Sequence, residues 1–148
     1  MKSAPAKRVI LMADDDADDR LLARDALQES QSEKELRCVE NGEELLDYLQ
    51  HRGQYQDPAA APRPSLILLD LNMPRKDGRE ALREIKADPE LRRIPVLVLT
   101  TSQADTDIGM LYDLGASSFI SKPFQFDALV GVMRVIDQYW FKSVELPK

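Results

Sequence analysis

The stretch SLILLDLNMPRKDG, residues 65–78, decides the fold of this chain. It opens with a run of four apolar residues, Leu66 to Leu69, which ends at Asp70. A continuous apolar run of this length is typical of a strand that is buried on both faces in a parallel sheet. Because an unpaired carboxylate is costly to bury, we expect Asp70 to lie at the mouth of the sheet. The stretch therefore predicts a central strand with a candidate functional residue at its carboxyl end.

The rest of the chain repeats this pattern on both sides of the stretch. The predicted strands cover residues 9–13, 35–39, 65–69, 95–99 and 117–121. Apolar residues at helical spacing predict helices at residues 18–29, 43–50, 78–87, 105–114 and 126–139. Since parallel crossovers are right-handed, this alternation predicts a doubly wound α/β fold with five helices distributed over both faces of the sheet. Functional residues are then expected at the carboxyl ends of the strands.

Length and composition limit the class of protein. With 148 residues, 43% hydrophobic and 31% charged, the chain predicts one globular domain. A net charge of −6 disfavours nucleic-acid binding through phosphate neutralisation. A single cysteine, Cys38, and a single histidine, His51, exclude an internal disulfide and a Cys/His zinc site. The sequence shows neither a signal peptide nor an apolar run of the roughly 20 residues that a membrane span needs, so we expect a cytoplasmic protein.

Polar residues follow four of the five predicted strands. Asp14 and Asp15 follow the first strand, Asp70 the third, Thr100 the fourth, and Lys122 comes at the end of the fifth. Clustered carboxylates repel one another unless a cation neutralises them, and an all-oxygen cluster suits Mg²⁺ better than Zn²⁺. Carboxylates, a hydroxyl and a lysine around a divalent cation are the groups that phosphoryl transfer requires.

The run of aspartates that begins at Asp14 divides into two groups. Five of the six residues at 14–19 are aspartates. We interpret Asp14 and Asp15 as a metal-binding pair because they directly end a buried strand. For Asp16, Asp18 and Asp19 we expect a solvated acidic surface, with Asp16 or Asp18 capping the first helix.

These motifs resemble those of a bacterial response-regulator receiver domain. The resemblance runs over residues 9–139 and rests on Asp14-Asp15, Asp70-Leu-Asn-Met-Pro74, Asp77-Gly78, Thr100 and Lys122-Pro123-Phe124. The run at residues 99–102, the insert before the third strand and the aromatic C-terminal tail further resemble the subgroup that includes the cyanobacterial phytochrome response regulators. The resemblance implies a flavodoxin-like receiver fold, a five-stranded parallel sheet in the order 2-1-3-4-5.

The resemblance also implies a phosphoryl-transfer role for the acidic residues. Asp70 would accept a phosphoryl group from a histidine kinase, and the subgroup points to a kinase of the phytochrome photoreceptor type. Mg²⁺ would be bound by Asp15 directly, by Asp14 through water, by Asp70, and by the backbone carbonyl of Asn72. The chain would then catalyse only its own phosphorylation and dephosphorylation and would not be an enzyme in any other sense.

Three further residues would convert phosphorylation into a conformational change, by the same resemblance. Thr100 would bond a phosphoryl oxygen, and Lys122 would pair with the free or phosphorylated carboxylate. Phe119 takes the position of the switch aromatic and, having no hydroxyl group, would be drawn inward by burial alone. The bond between Lys122 and Pro123 is commonly cis in this family.

The same residues raise two alternative functions. One is an Mg²⁺-dependent phosphatase with an aspartyl nucleophile in an Asp-x-Asp motif, but the second acidic position here is Asn72, so the general acid is missing. The other is a pseudo-receiver that never takes phosphate. The presence of Asp15, Asp70, Thr100 and Lys122 argues against the pseudo-receiver, and a failure to bind Mg²⁺ would support it.

The two ends of the chain complete the predicted organisation. We divide it into an N-terminal lead at 1–8, a receiver domain at 9–139 and a C-terminal tail at 140–148, which is too short for an output domain. The output is therefore expected to be contact with a downstream protein, without nucleic acid or membrane. Tyr139, Trp140 and Phe141 cannot all face the core at helical spacing, so we expect them to form a homodimer interface. The alternative is that they fold back over the last helix as a cap.

Overall fold

Strands and helices alternate along the chain. The structure, a computed structural model, describes residues 8–100, 105–123 and 125–143. The strands are β1 (Val9–Ala13), β2 (Glu35–Val39), β3 (Leu66–Leu69), β4 (Val96–Thr100) and β5 (Ser118–Ser121). The helices are α1 (Ala17–Glu29), α2 (Gly42–Gln50), α3 (Gly78–Ala87), α4 (Asp105–Asp113) and α5 (Phe126–Val135), and a π-helical segment, Ile136–Ser143, continues α5. No helix of these described ranges is long and apolar enough to span a bilayer.

The five strands form one parallel sheet in the order β2-β1-β3-β4-β5. β1 pairs with both β2 and β3, with Met12 opposite Cys38 on one side and Leu68 on the other. The chain therefore winds outward in both directions from β1 and β3, and the strand order reverses between them. The predicted fold class and strand order are confirmed.

The apolar run of β3 is continuous because both faces of the sheet are covered. Ile67 and Leu69 pack in one core cluster, with residues of α2 and α3. Leu66 and Leu68 pack in a second cluster on the opposite face, with residues of α1 and α5. All four side chains are almost fully buried. Burial of each contributes roughly 1.5 to 3 kcal/mol, so β3 fixes the centre of the sheet and the position of the residue that follows it.

Three helices begin with a side-chain cap at the carboxyl edge of the sheet. Asp16 accepts hydrogen bonds from the backbone N–H groups of the first turn of α1, Asn41 does so for α2, and Asp77 does so for α3. Such caps satisfy amide groups that have no partner within the helix. The capping prediction for Asp16 is confirmed.

The C-terminal end of the chain differs from the predicted helix over 126–139. The α-helix ends at Val135 and widens into the π-helical segment. In this segment Ile136 is buried, and Trp140 and Phe141 pack against the second core cluster. The wider turn brings residues five apart toward the same side, so packing overrides the regular α-helical period here. Two of the three aromatic side chains therefore form the cap that was the alternative to a dimer interface, whereas Tyr139 is 52% exposed.

Candidate functional site

Three carboxyl groups meet at the carboxyl edge of β1 and β3. The N–H of Asp70 donates to the carbonyl of Ala13 at 3.0 Å, which aligns the ends of the two strands. Carboxylate oxygens of Asp14, Asp15 and Asp70 lie within 4.8 Å of one another. Asp14 is fully buried and Asp70 nearly so, whereas Asp15 is exposed. These oxygen atoms could hold a hard divalent cation on the solvent side of the cluster.

Lys122 brings a positive charge to the same cluster from the end of β5. Its Nζ donates to Oδ2 of Asp14 at 2.7 Å, of Asp19 at 2.9 Å and of Asp70 at 3.0 Å. Burial lowers the pKa of Lys122, but the hydrogen bonds to Asp14 and Asp19 outweigh it and raise the pKa above its ordinary value. Burial raises the pKa of Asp14, and the hydrogen bond from Lys122 opposes that shift. The ammonium group therefore stays charged and neutralises part of the acidic cluster.

Asp19 is a site residue that the sequence analysis missed. The sequence predicts a solvated surface for it, yet Asp19 is half-buried and bonded to Lys122. It lies in the first turn of α1, and the cap at Asp16 places that turn at the edge of the sheet. The signal that could have revealed Asp19 is its place in the first turn of a helix that begins at the site.

The remaining predicted residues lie near this edge to different degrees. The backbone N–H of Asn72 donates to Oδ1 of Asp70 at 3.1 Å. Thr100 ends β4 opposite Ser121 of β5, so its backbone reaches the same edge, while its side chain lies outside the described structure. Phe119 is partly buried against the first core cluster. The bond between Lys122 and Pro123 is trans, because none of the peptide bonds in the described ranges is cis, so the family's common isomer is not present here.

Two glycines hold the loop that follows Asp70. Gly42, at the start of α2, donates its N–H to the carbonyl of Lys76 at 3.0 Å, and a Cβ at Gly42 would lie 2.2 Å from that oxygen. A Cβ at Gly78 would lie 2.5 Å from the carbonyl oxygen of Asp70. Within the loop, Arg75 adopts a φ of 65°, a left-handed conformation that is uncommon for residues other than glycine. Close backbone contacts therefore fix the loop after Asp70.

A parallel sheet in this order, with an acidic cluster and a lysine at its carboxyl edge, defines the receiver class of signalling domain. The model of the response regulator receiver domain family matches residues 10–134. The chain belongs to this family, and it is a receiver of two-component signalling.

Comparison with similar proteins indicates a subgroup within this family. The response regulator Rcp1 of Synechocystis sp. is 40% identical over 146 residues, which are 99% of this chain and 97% of Rcp1. The crystal structure of the phosphorylated cyanobacterial phytochrome response regulator RcpA matches with a TM-score of 0.87 and 42% identity, covering 97% of this chain and all of that one. A response regulator in red light signalling of R. palustris matches with a TM-score of 0.90 and 33% identity over 95% of this chain and 99% of its own. The predicted likeness to the phytochrome subgroup is confirmed.

The structure of Rcp1 also bears on metal binding. Its Mn²⁺-bound form matches this chain with a TM-score of 0.85 and 40% identity, over 95% of this chain and 99% of that one. A similar fold thus holds a divalent cation, and the group of Asp14, Asp15 and Asp70 offers oxygen ligands for one here.

Proposed function

We propose that this receiver accepts a phosphoryl group from a histidine kinase onto Asp70 with Mg²⁺ and signals through contacts that depend on phosphorylation. The observation that carries the proposal is the surroundings of Asp70. Its carboxylate lies beside those of Asp14 and Asp15 and accepts a hydrogen bond from Lys122. It is thus a carboxylate at a strand end with both a candidate cation site and a fixed positive charge next to it.

The chemistry follows from that position. A carboxylate oxygen of Asp70 attacks the phosphorus of a phosphohistidine, an O–P bond forms, and the N–P bond breaks as the imidazole leaves. The product is an aspartyl phosphate, and the leaving imidazole nitrogen keeps the electron pair of the broken bond. The ammonium of Lys122, 3.0 Å from Asp70 Oδ2, is placed to stabilise negative charge on the transferred group.

The donor set suits magnesium. Asp15 would bind the cation directly because it is exposed, and Asp14 would act through water because its Oδ2 is bonded to Lys122. Asp70 and the carbonyl of Asn72 would complete the protein ligands. When bound, Mg²⁺ would neutralise charge on the phosphoryl oxygens.

The direct test is labelling with acetyl phosphate and Mg²⁺. We expect one base-labile phosphoryl group per chain, which is absent in Asp70→Asn, absent in Asp15→Ala because the metal is lost, and absent with a chelator. Asp18→Asn is the matched control, because Asp18 is an exposed aspartate near the site that lies outside the three-carboxylate group. Labelling of Asp70→Asn to the level of the wild-type protein would refute the assignment, and labelling that ignores the chelator would refute the metal requirement.

Signalling would pass from the site through Lys122. A phosphoryl group on Asp70 would draw Lys122 and the Thr100 hydroxyl toward it, and Phe119, three residues before Lys122 on β5, would pack further inward. Lys122→Ala is therefore expected to leave some labelling but to uncouple it from the conformational change. The kinase would be of the phytochrome type, because RcpA, which is similar to this chain, is a phytochrome response regulator.

The C-terminal segment is the proposed homodimer contact. Tyr139 and Val135 are 52% and 63% exposed, and they supply an apolar surface beside the cap formed by Trp140 and Phe141. Sedimentation at micromolar concentration is expected to show a dimer that Tyr139→Ser weakens, whereas Tyr112→Ser, at an exposed tyrosine of α4, leaves it intact. A monomer in both phosphorylation states would refute the dimer.

A further inference from the structure

Arg20 reaches from the first turn of α1 to the backbone of the acidic pair. Its Nη1 donates to the carbonyl oxygen of Asp14 at 2.7 Å, and its Nη2 donates to Oε1 of Glu40 at 3.2 Å. The Arg20 side chain is 18% exposed, and its contact with the Asp14 carbonyl is partly buried, whereas its contact with Glu40 lies at the surface. The guanidinium group thus joins the loop after β1 to the loop after β2.

The contact with Asp14 acts on the peptide unit that joins Asp14 to Asp15. The carbonyl of Asp14 and the N–H of Asp15 share one rigid plane, so the orientation of that carbonyl fixes the direction in which the Asp15 backbone starts. Val39 holds the other side of Asp14, since the Asp14 N–H donates to the Val39 carbonyl at 3.0 Å. With Arg20 in place, the backbone of Asp14 is bonded on both of its polar groups.

The fixed orientation of this peptide unit matters most for Asp15, because its side chain is exposed and therefore little constrained by packing. A metal site needs its ligands held near the productive geometry by residues behind them. The carboxylate of Asp14 is already fixed by Lys122 and by the N–H of Asp16 at 2.9 Å. Arg20, through its bond to the Asp14 carbonyl, holds the backbone on the N-terminal side of Asp15.

We propose that Arg20 is a positioning residue of the metal site, which orients the Asp14–Asp15 peptide and so holds the Asp15 carboxylate toward the cation. The inference rests on the proposed function. Arg20 does not touch the metal or the phosphoryl group; it acts through the backbone of the acidic pair.

The test compares two arginines of the same helix. Arg20→Met keeps the apolar stem and removes both hydrogen bonds. Arg24→Met removes the same charge one turn further along α1, where Arg24 contacts Cys38 Sγ at 3.6 Å and not the acidic pair. Mn²⁺ is titrated into each protein, and the free ion is followed by electron paramagnetic resonance. Loss of a residue that supports a metal ligand costs roughly tenfold to a hundredfold in metal affinity, so we expect a loss of roughly tenfold for Arg20→Met and none for Arg24→Met.

A second measurement separates positioning from general destabilisation. In labelling with acetyl phosphate, the Mg²⁺ concentration at half-maximal rate is expected to rise about tenfold in Arg20→Met, while the rate at saturating Mg²⁺ stays within about twofold of the wild-type rate. Arg20→Gln, whose shorter side chain cannot span both contacts, is expected to show the same shift and serves if Arg20→Met does not fold.

The outcomes are distinct. Wild-type metal affinity in either Arg20 variant that folds overturns the inference, and so does an equal loss in Arg24→Met. A wild-type protein that binds no Mn²⁺ and takes no phosphoryl group overturns the proposed function, and this inference with it.

Discussion

Gly42 offers a test of how the loop after Asp70 is held. We consider Gly42→Ala, which adds one methyl group at the start of α2. The added Cβ would lie 2.2 Å from the carbonyl oxygen and 2.9 Å from the carbonyl carbon of Lys76, so the backbone of the loop or of the helix has to shift. The φ angle at Gly42 is not in the left-handed region, and the cost is therefore steric.

The magnitude follows from two opposing effects. Alanine is better than glycine in a helix by about 0.5 to 1 kcal/mol, whereas forcing a methyl group into a packed site costs typically 1 to 3 kcal/mol. Since the obstructing atoms belong to the backbone, we expect a net loss of about 1 to 2 kcal/mol in the free energy of unfolding. For a chain of this size that loss lowers Tm by roughly 2 to 8 °C.

Gly131→Ala is the matched control. Gly131 lies within α5, and an added Cβ there would meet no atom within 4 Å among the described residues. The same substitution should therefore raise the free energy of unfolding by about 0.5 to 1 kcal/mol. Urea unfolding followed by circular dichroism measures both, and acetyl phosphate labelling measures whether the shifted loop slows phosphorylation. The steric reasoning is wrong if Gly42→Ala is as stable as the wild-type protein.

Three other predictions concern single side chains. Lys122→Met leaves the buried Asp14 carboxylate without the ammonium group that is bonded to it, so in the absence of metal the free energy of unfolding should fall by about 3 kcal/mol. In thermal melts, Mg²⁺ should restore part of the lost stability. Burial raises the pKa of Tyr48 to about 12, so the stability that the protonated hydroxyl contributes is complete below the unfolded pKa of about 10 and is lost as the pH rises through 12. Absorbance at 295 nm should follow the ionisation of Tyr48, and unfolding measured at each pH should show the loss of stability. Tyr48→Phe, which removes the 2.8 Å bond to the Pro62 carbonyl, should abolish this contribution to the pH dependence. A wild-type aspartyl phosphate should be lost over minutes to hours, and Asn72→Leu should change the rate of loss without preventing labelling; an unchanged rate would exclude a role for Asn72.

The strands could be predicted from the sequence because each side chain of a central strand is buried against one face or the other. Ile67 and Leu68 point to opposite core clusters, and both faces require apolar residues. The same logic placed Asp14 and Asp70, since each directly follows such a strand. The local sequence is therefore sufficient to predict where the residues at the strand ends lie.

Other parts of the site depend on the direction of α1, which spacing along the chain does not reveal. Asp19 and Arg20 are neighbours, yet one bonds Lys122 and the other bonds the Asp14 carbonyl. Both contacts arise because the cap at Asp16 starts the helix at the edge of the sheet. The π-helical segment was also missed, because tertiary packing of Trp140 and Phe141 on the core decides it and α-helical periodicity does not.

The balance of charge links the metal to the phosphoryl group. The ammonium of Lys122 is bonded to Asp14, Asp19 and Asp70, and Asp15 adds a fourth carboxylate nearby. A phosphoryl group on Asp70 would add roughly one further negative charge, and the ammonium of Lys122 does not by itself offset that excess. In the proposed function the divalent cation supplies the missing charge, so metal binding must favour phosphorylation, and by thermodynamic reciprocity phosphorylation must tighten metal binding. Arg20 then affects both together, since it supports the carboxylate that faces the cation.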